Sequence, residues 1–156
     1  MADDSTFRTF VDTHGPTLLQ AARLLTGDHH RGEDLVQTAL TKLYLKWGTV
    51  TDPLAYARRV LVTTHIDATR RRWWGERPSD VLPDESRPDA ALVASEERDE
   101  IRRLLRELNP RERAAIVLRY YCDLSEDETA TTLGIAVGTV KSTCARALAR
   151  YGSRAV

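Results

Sequence analysis

The chain has 156 residues, of which 42% are hydrophobic and 29% charged, and its 23 cations balance its 23 anions. This length suits one domain or two small ones, the hydrophobic content is enough for packed cores, and no stretch stays apolar long enough to predict a membrane-spanning helix. Asp3 and Asp4 lie where a secretory signal peptide would be basic, so a cytoplasmic protein is expected.

The cysteines and histidines do not form a recognisable metal or disulfide pattern. Cys122 and Cys144 form no CxxC pair and have no histidine at metal-ligand spacing. The adjacent His29 and His30 cannot present two ligands on one helix face. The sequence also contains no acidic pair, nucleophile triad or phosphate-binding loop, so we predict no cofactor, no metal and no enzymatic activity.

The neutral total conceals two basic segments separated by an acidic one. Residues 1–54 carry a net charge of −2, residues 55–77 of +4, residues 78–128 of −6 and residues 129–156 of +4. Separate basic segments favour a polyanionic partner, because local potential rather than total charge sets the attraction within a Debye length. Two solvated basic surfaces are the alternative interpretation.

Helical periodicity runs through nearly the whole sequence, and no segment shows the two-residue alternation that is typical of a strand. The predicted fold class is therefore all-α. The first predicted helix carries Phe7 and Phe10, is expected to be interrupted or kinked near Gly15 and Pro16, and ends before Gly27.

The second predicted helix, residues 31–47, has one apolar and one polar face. The polar strip is either solvated surface or a docking surface for another protein, and periodicity does not choose between these. The apolar face contains Leu35, Val36, Ala39, Leu40, Leu43, Tyr44 and Trp47. The polar strip contains Glu33, Asp34, Gln37, Thr38, Thr41 and Lys42.

The third predicted helix begins at Asp52 and Pro53, because aspartate caps free N–H groups and proline fits the first helical position. Arginines concentrate toward its end, in the segment RRRWW of residues 70–74. Cations suit the negative end of a helix dipole, which explains part of this placement.

Three prolines, scattered acidic residues and weak periodicity in residues 75–94 predict a flexible linker. The chain is therefore predicted to consist of two small helical domains, residues 1–77 and residues 95–156, joined by a linker at residues 78–94.

The second predicted domain contains a helix-turn-helix pattern. Two helix starts have the spacing of a capping box: Asn109 with Glu112, and Ser125 with Glu128. Ala130, Gly134 and Val140 then follow at helix-turn-helix spacing, in which a small residue permits close approach, glycine makes the turn and an apolar residue fixes the second helix.

In the last helix, one set of residues is predicted to face inward: Val140, Cys144, Ala147, Leu148 and Tyr151. The outward set is Thr139, Lys141, Ser142, Ala145, Arg146 and Ala149. Short polar side chains and cations are typical of a recognition helix in a major groove, so we favour DNA binding over an ordinary helical hairpin.

Three blocks in order, EDLVQTALTKLYLKW, AYARRVLVTTHIDATRRRWW and LNPRERAAIVLRYYCDLSEDETATTLGIAVGTVKS, resemble the extracytoplasmic-function (ECF) sigma factors. The resemblance implies that the first domain binds core RNA polymerase and the −10 promoter element and helps to melt the DNA. It implies that the second domain recognises the −35 element. The implied partners are core RNA polymerase, promoter DNA and an anti-sigma factor, without membrane insertion.

The resemblance also implies roles for individual residues. The polymerase-binding set is Asp34, Gln37, Thr38 and Thr41. The −10 set is Trp47, Tyr56, Arg59, Thr63, Arg70, Arg71 and Arg72, with the loop 48–50 capturing a flipped base. The −35 set is Thr139, Lys141, Ser142, Thr143 and Arg146. Trp73 and Trp74 either pack within the protein or stack on a base.

Five positions depart from the usual family pattern, one of which, Cys144 at a usual Leu position, is consistent with a core role. Thr38 stands at a frequent Glu position and Thr63 at a frequent Asn position, which implies altered polymerase and −10 contacts. Ala136 replaces a common Ser helix cap, and Thr143 replaces a common Arg, which implies an altered −35 contact.

The rival hypothesis is a polymerase-independent transcriptional regulator that uses its helix-turn-helix alone. Such output domains share a start like GTVKS in residues 138–142. The EDLVQ block in residues 33–37 has no role in that hypothesis, and the N-terminal half lacks the strand–helix alternation of a receiver domain.

Overall fold

The computed structural model describes residues 4–74 and 96–155, with side chains described for residues 4–70 and 100–150. Within these ranges it contains helices and turns but no strand, which confirms the all-α prediction. The helices are α1 (Asp4–Thr26), α2 (His29–Leu45), α3 (Pro53–Trp74), α4 (Glu96–Glu107), α5 (Pro110–Ile116), a π-helical segment (Val117–Tyr121), α6 (Glu126–Leu133) and α7 (Val137–Ala155). The predicted linker, residues 78–94, lies outside the described residues.

An interruption or a kink was predicted near Pro16; helix α1 continues through this residue, so the interruption does not occur. A proline inside a helix costs about 3 kcal/mol, because one hydrogen bond is lost and the ring crowds the preceding turn. Packing on both sides of the proline offsets this cost. The buried residues of α1 are Phe10, Leu18, Ala21, Ala22 and Leu25.

The N-terminal helices form a first core from the facing sides of α1, α2 and α3. Its buried side chains are Phe10, Leu18, Ala22, Leu35, Val36, Ala39, Leu43, Ala57 and Leu61. Gly32 permits α1 and α2 to approach closely, since a Cβ atom there would lie 3.1 Å from the Arg23 backbone nitrogen. Asp28 caps α2 by accepting hydrogen bonds from the His30 and Arg31 amides at 2.8 and 3.2 Å.

A second core combines side chains from both predicted domains. Ala21 and Leu25 of α1 and Val62 of α3 are part of it. Its C-terminal members are Leu105, Leu108, Ala114, Val117, Leu118, Leu124 and Ala147. The two halves of the chain are therefore packed against each other in this structure, which the sequence did not indicate.

Both predicted capping boxes are confirmed. The Asn109 side chain accepts from the Glu112 amide at 2.8 Å, and the Glu112 carboxylate accepts from the Asn109 amide at 3.2 Å. Ser125 and Glu128 make the same reciprocal pair at 3.0 and 2.8 Å. These bonds satisfy amides that have no partner within their own helix, and they fix where α5 and α6 begin.

The predicted helix-turn-helix consists of α6 and α7. Its turn passes through Gly134, whose backbone is left-handed (φ 71°, ψ 35°). The Gly134 amide donates a hydrogen bond to the Ala130 carbonyl at 2.8 Å. Ala130, Val140 and Cys144 pack together with Ala115 of α5 beneath the turn. The core therefore holds α7 at a fixed angle to α6, with its other face outward.

We expect Gly134→Ala to lower the free energy of unfolding by about 1 kcal/mol, since a side chain disfavours the left-handed backbone. A Cβ atom at Gly134 would have no heavy atom within 4 Å, so the cost is conformational rather than steric. The shift in the midpoint of urea unfolding measures this loss of free energy. Gly138→Ala is the matched control, because that site is equally open but helical, and a gain of up to about 0.5 kcal/mol is expected. Equal effects at both sites would contradict the prediction.

Candidate polymerase-docking and DNA-binding surfaces

The polar strip predicted on α2 is present as an outward face. Asp34, Gln37 and Thr41 are exposed, and Thr38 is half-buried. The opposite face of α2 is buried against α1 and α3 through Leu35, Val36, Ala39 and Leu43. A rigid helix with a fixed polar face has the form of a docking surface, since its side chains are held in one relative arrangement.

The C-terminal end of α2 differs from the prediction. Tyr44, expected on the apolar face, is 39% exposed, and its hydroxyl donates a hydrogen bond to Asp4 at 2.8 Å. This hydrogen bond and the nearby carboxylate charge raise the pKa of Tyr44. Leu45 is 77% exposed and follows Thr41 by four residues, so it extends the outward strip with an apolar side chain. Neither the predicted apolar face nor the predicted polar strip included Leu45, so the sequence analysis did not identify this side chain.

Trp47 lies between the end of α2 and the start of α1. Its indole nitrogen donates to the Thr6 hydroxyl at 2.9 Å, and its ring packs edge-on against Phe7 and at a tilt against Phe10. The side chain is half-buried. In this arrangement, Trp47 stabilises the packing of α1 on α2, and its indole N–H is occupied.

Two residues predicted to contact the −10 element lie on an exposed face of α3. Arg59 and Thr63 are exposed there, one helical turn apart, and the Thr63 hydroxyl donates to the Arg59 carbonyl at 2.8 Å. Its lone pairs therefore remain available as acceptors, whereas its donor is already used. Tyr56 is half-buried and packs against the first core. The structure thus brings together two of the predicted side chains and turns a third partly inward.

The arginine-rich end of α3 is described only in part. The Arg70 side chain is exposed to solvent. The side chains of Arg71, Arg72, Trp73 and Trp74 lie outside the described residues. Their proposed DNA contacts and the packing of the tryptophans therefore stay predictions from the sequence.

The outward face of α7 agrees with the predicted recognition surface at four positions. Thr139, Lys141, Ser142 and Arg146 are all exposed. The Lys141 ammonium lies 3.9 Å from the Glu126 carboxylate of α6, and both side chains are largely solvated, so this pair contributes little stability. Lys141 is therefore available for a phosphate or a base.

Thr143 is the exception, and its predicted DNA contact is wrong for this structure. Its side chain is 2% exposed, because it follows Val140 by three residues and precedes Ala147 by four, on the buried side of α7. That spacing was a sequence signal for burial. Leu148, predicted to face inward, is instead 45% exposed.

Leu148 lines an apolar groove between α4, the π-helical segment and α7. The groove has a volume of about 290 Å³, and Ile101, Leu104, Leu108 and Tyr120 form much of its wall. Ile101 and Tyr120 are 49% and 53% exposed. Such an exposed apolar surface is typical of a protein–protein contact.

Arg113 is a structural residue that the sequence did not indicate. Its guanidinium donates to the carbonyls of Leu105, Leu108 and Arg106 at 2.8, 3.1 and 3.3 Å, and to the Leu25 carbonyl at 2.9 Å. Burial, and to a lesser extent the nearby charge of Arg106, lowers the pKa of Arg113. These carbonyls belong to the ends of α1 and α4, so one side chain caps two helices from different halves of the chain.

The described residues offer no metal-binding cluster of three or more His, Cys, Asp or Glu side chains. Over the same residues, no helix has both the length and the apolar character needed to span a membrane. What the described chain does present is a polar helix face, a basic helix face and a helix-turn-helix.

Comparison with known proteins covers both halves of the chain. Two family models match in order, Sigma-70 region 2 over residues 10–75 and Sigma-70 region 4 over residues 98–150. The RNA polymerase sigma-E factor of Streptomyces avermitilis is 40% identical over 151 residues, covering 92% of this chain and 82% of that protein. The ECF RNA polymerase sigma factor SigL of Mycobacterium tuberculosis is 32% identical, covering 90% and 84%.

Two solved structures share the fold. The sigma factor RpoE of Bartonella quintana, solved in complex with the anti-sigma factor NepR, is 27% identical with a TM-score of 0.78 and coverage of 93% of both chains. CnrH, solved with the cytosolic domain of CnrY, gives a TM-score of 0.70 at 24% identity, and this likeness bears on the fold alone. With two sigma regions in order and relatives that match along nearly the whole length, the chain belongs to the ECF class of RNA polymerase sigma factors.

Proposed function

We propose that this sigma factor directs core RNA polymerase to promoters through three separate surfaces, with one surface for the polymerase and one for each promoter element. The observation that carries the proposal is the presence of both sigma regions on one chain, each with an exposed polar or basic helix face. The polymerase-independent regulator is not favoured, because it leaves the region 2 match and the α2 strip without a role.

The polymerase-binding surface is the α2 strip of Asp34, Gln37, Thr38 and Thr41. Support comes from its exposure and from the buried opposite face, which holds α2 in place. A carboxylate and an amide at one-turn spacing give directional acceptors and donors for a partner helix. Because Thr38 is half-buried, Asp34, Gln37 and Thr41 are expected to make most of the contact.

The −10 element is bound by α3 and the turn that precedes it. The exposure of Arg59, Thr63 and Arg70 supports this assignment, since cations with short polar side chains suit phosphates and unpaired bases. Trp47 is assigned to the edge of this surface, where its packing on Phe7 orients the ring. Bases of the melted strand are held out of the stack here, which stabilises the open DNA.

The −35 element is bound by α7 in the major groove. The proposal retains Thr139, Lys141, Ser142 and Arg146, which are exposed, and omits the buried Thr143. Helix-turn-helix proteins place the start of the second helix against base edges, which is the position of Thr139 through Ser142. Arg146 follows one turn later and suits a phosphate or a guanine.

The proposed mechanism contains no covalent step. Each DNA surface alone binds weakly, and attachment to one polymerase raises the effective concentration of the second surface once the first is bound. The working division of the chain is residues 1–77, residues 78–94 and residues 95–156. Because its partner is core RNA polymerase, we place the protein in the cytoplasm, with an anti-sigma factor as its expected inhibitor.

Co-elution of the chain with core RNA polymerase, followed by transcription from a genomic promoter pool, tests the function. We expect a stable complex and new transcription start sites that share a −10 and a −35 sequence. A chain that binds duplex DNA but ignores polymerase would contradict the proposal.

Replacing Arg70, Arg71 and Arg72 together with alanine is expected to weaken promoter binding by the holoenzyme. It should also reduce the slope of log affinity against log salt by up to about three, because each phosphate contact releases a counterion. A control variant replaces two exposed arginines, Arg103 and Arg106 on α4, away from the proposed DNA surfaces. A salt slope unchanged from that of the wild type would rule out the phosphate contacts.

A further inference from the structure

The loop of residues 48–50, to which the family resemblance assigns capture of a flipped −10 base, begins directly after Trp47. Its backbone turns at Gly48, whose φ of 96° lies in the left-handed region that favours glycine. The amide and the hydroxyl of Thr49 both donate to the Lys46 carbonyl, at 3.0 and 2.8 Å. These hydrogen bonds fold the loop back onto the end of α2, so the position of the loop depends on how that end is held.

Two hydrophobic side chains attach this loop to the N-terminal half. Trp47 at its start and Val50 at its end are half-buried and pack against the first core. Between them, Gly48 and Thr49 are exposed. The loop is therefore an exposed turn between two anchored ends.

The first two turns of α1 supply a hydrogen bond and two ring contacts to Trp47. The indole nitrogen donates to the Thr6 hydroxyl at 2.9 Å. The centroid of the Phe7 ring lies 5.2 Å from that of the Trp47 ring at an interplanar angle of 83°, and the Phe10 ring lies 5.6 Å away at 58°. An indole that is hydrogen-bonded at one edge and packed by two rings is held in one orientation.

The same part of α1 also contacts the last turn of α2. The Tyr44 hydroxyl donates to the Asp4 carboxylate at 2.8 Å, and the Tyr44 ring packs edge-on against Phe7 with the centroids 5.0 Å apart. Phe7 therefore touches both aromatic residues at the end of α2. We call this set the N-terminal contact; its members are Asp4, Thr6, Phe7, Phe10, Tyr44 and Trp47.

Most of the N-terminal contact lies at the protein surface. Asp4, Thr6 and Tyr44 are exposed, and Phe10 is the one member among the buried side chains of the first core. An exposed hydrogen bond adds little to stability, but it is directional. The two hydrogen bonds are therefore expected to orient Tyr44 and Trp47 more than to stabilise the fold.

Orientation matters here because a base outside the stack is bound by groups that must already be in place. Preorganised groups bind more tightly, since no side chain or loop has to be ordered on binding. Tyr56, a member of the predicted −10 set, packs against the same first core as Trp47 and Val50. The N-terminal contact thus fixes the start of the loop relative to the other groups expected to meet the base.

We infer that Thr6 and Phe7 are positioning residues for capture of the −10 base: they hold Trp47, and Trp47 sets the place of the loop 48–50. They act through Trp47 and not by touching the base. This inference rests on the proposed function. Thr6 is 41 residues from Trp47 along the chain, so no local sequence pattern indicates the role.

Thr6→Val tests the inference, because it removes the acceptor of the indole hydrogen bond and keeps the shape of the side chain at an exposed position. Thr6→Ser, which keeps the hydroxyl, is the rescue variant. Thr9→Val is the matched control, since Thr9 is also exposed on α1 and its hydroxyl donates to the Ser5 carbonyl of the same helix at 3.0 Å. Phe7→Leu removes the ring contacts as a second, independent variant.

The measurement uses holoenzyme assembled from each full chain and core polymerase. It is titrated with a forked promoter fragment whose −10 element is single-stranded on the non-template strand, and one base at a time is replaced by an abasic nucleotide. At the captured position, we expect loss of the base to weaken binding of the wild type by about tenfold. This ratio of affinities is the abasic penalty.

In Thr6→Val and Phe7→Leu, the abasic penalty should fall to about threefold or less, because a displaced loop no longer meets the base. Thr6→Ser and Thr9→Val should keep the penalty of the wild type. Affinity for core polymerase should be unchanged in all variants, since the α2 strip is intact. A merely structural weakening would lower the affinity for intact and abasic fragments alike and leave the penalty unchanged.

Fluorescence of the free chain reports the N-terminal contact without DNA. Trp73→Phe and Trp74→Phe leave Trp47 as the only one of the three tryptophans. In this background, Thr6→Val should shift the emission of Trp47 to longer wavelength and increase its quenching by acrylamide, whereas Thr9→Val should change neither. Circular dichroism checks that each variant remains helical.

The outcomes distinguish this inference from the proposed function. An abasic penalty in Thr6→Val equal to that of the wild type would overturn the positioning role, and so would unchanged quenching of Trp47. A wild-type holoenzyme that shows no abasic penalty at any −10 position would refute base capture itself, and the positioning role with it. A penalty that is present in the wild type, reduced in Thr6→Val and restored in Thr6→Ser supports both.

Discussion

Replacing Asp34 and Gln37 of α2 with alanine is expected to weaken binding to core RNA polymerase by about 10- to 100-fold, since the few residues that dominate an interface contribute more than about 1 kcal/mol each. Both side chains are exposed, so their loss leaves the core intact. The affinity can be measured by titrating labelled chain with core polymerase.

The matched control for this pair is Asp12→Ala with Thr13→Ala, two exposed positions on α1 outside the strip. We expect wild-type polymerase binding from the control and the same thermal midpoint from all three proteins. An affinity equal to the wild type in the α2 variant would show that polymerase docks elsewhere, and the apolar groove beside Leu148 would then become the first surface to test.

Glu112→Ala is expected to lower the free energy of unfolding by about 2–4 kcal/mol. The Glu112 carboxylate is nearly buried, completes the capping box of α5, and accepts two hydrogen bonds from Arg150 of α7 at 3.2 and 3.1 Å. Alanine removes the cap and leaves Arg150 without this partner. The midpoint of thermal unfolding should fall by roughly 5–15 °C.

Glu112→Gln separates the two contributions. Glutamine can still accept from the Asn109 amide, so the cap remains while the charge facing Arg150 is lost. Because Arg150 is half-exposed, we expect the glutamine variant to lose less than half as much stability as the alanine variant. Glu100→Ala, at an exposed position of α4, should unfold like the wild type. A loss below about 0.5 kcal/mol in Glu112→Ala would contradict this account.

Sequence reasoning succeeded where the determining interactions are local. The capping boxes at Asn109 and Ser125 and the left-handed turn at Gly134 involve residues within four positions of one another. Outward positions of α2 and α7, such as Gln37 and Arg146, followed from the 3.6-residue period for the same reason. Recognition of the family then related these faces to polymerase and DNA.

Prediction from the sequence was wrong where the burial of a side chain depends on which other elements cover its helix. Thr143 is polar and was assigned to DNA, although it lies on the face of α7 that the rest of the C-terminal half covers. For Tyr44 and Leu148 the error was the opposite one. Both were predicted to be buried, but nothing in the described structure covers them fully. A helical period identifies faces, but it does not say how wide the buried sector is.

The sequence by itself determined that this protein is all-α, where most of its helices begin, and that it carries the two regions of an ECF sigma factor. Only the tertiary structure decided that Ala21, Leu25 and Val62 are covered by the C-terminal half and that Arg113 caps α1 as well as α4. The physical reason is the separation along the chain of the residues that interact. Caps and periodicity act over a few residues, whereas the contact from Arg113 to Leu25 joins positions 88 residues apart, and no local pattern specifies it.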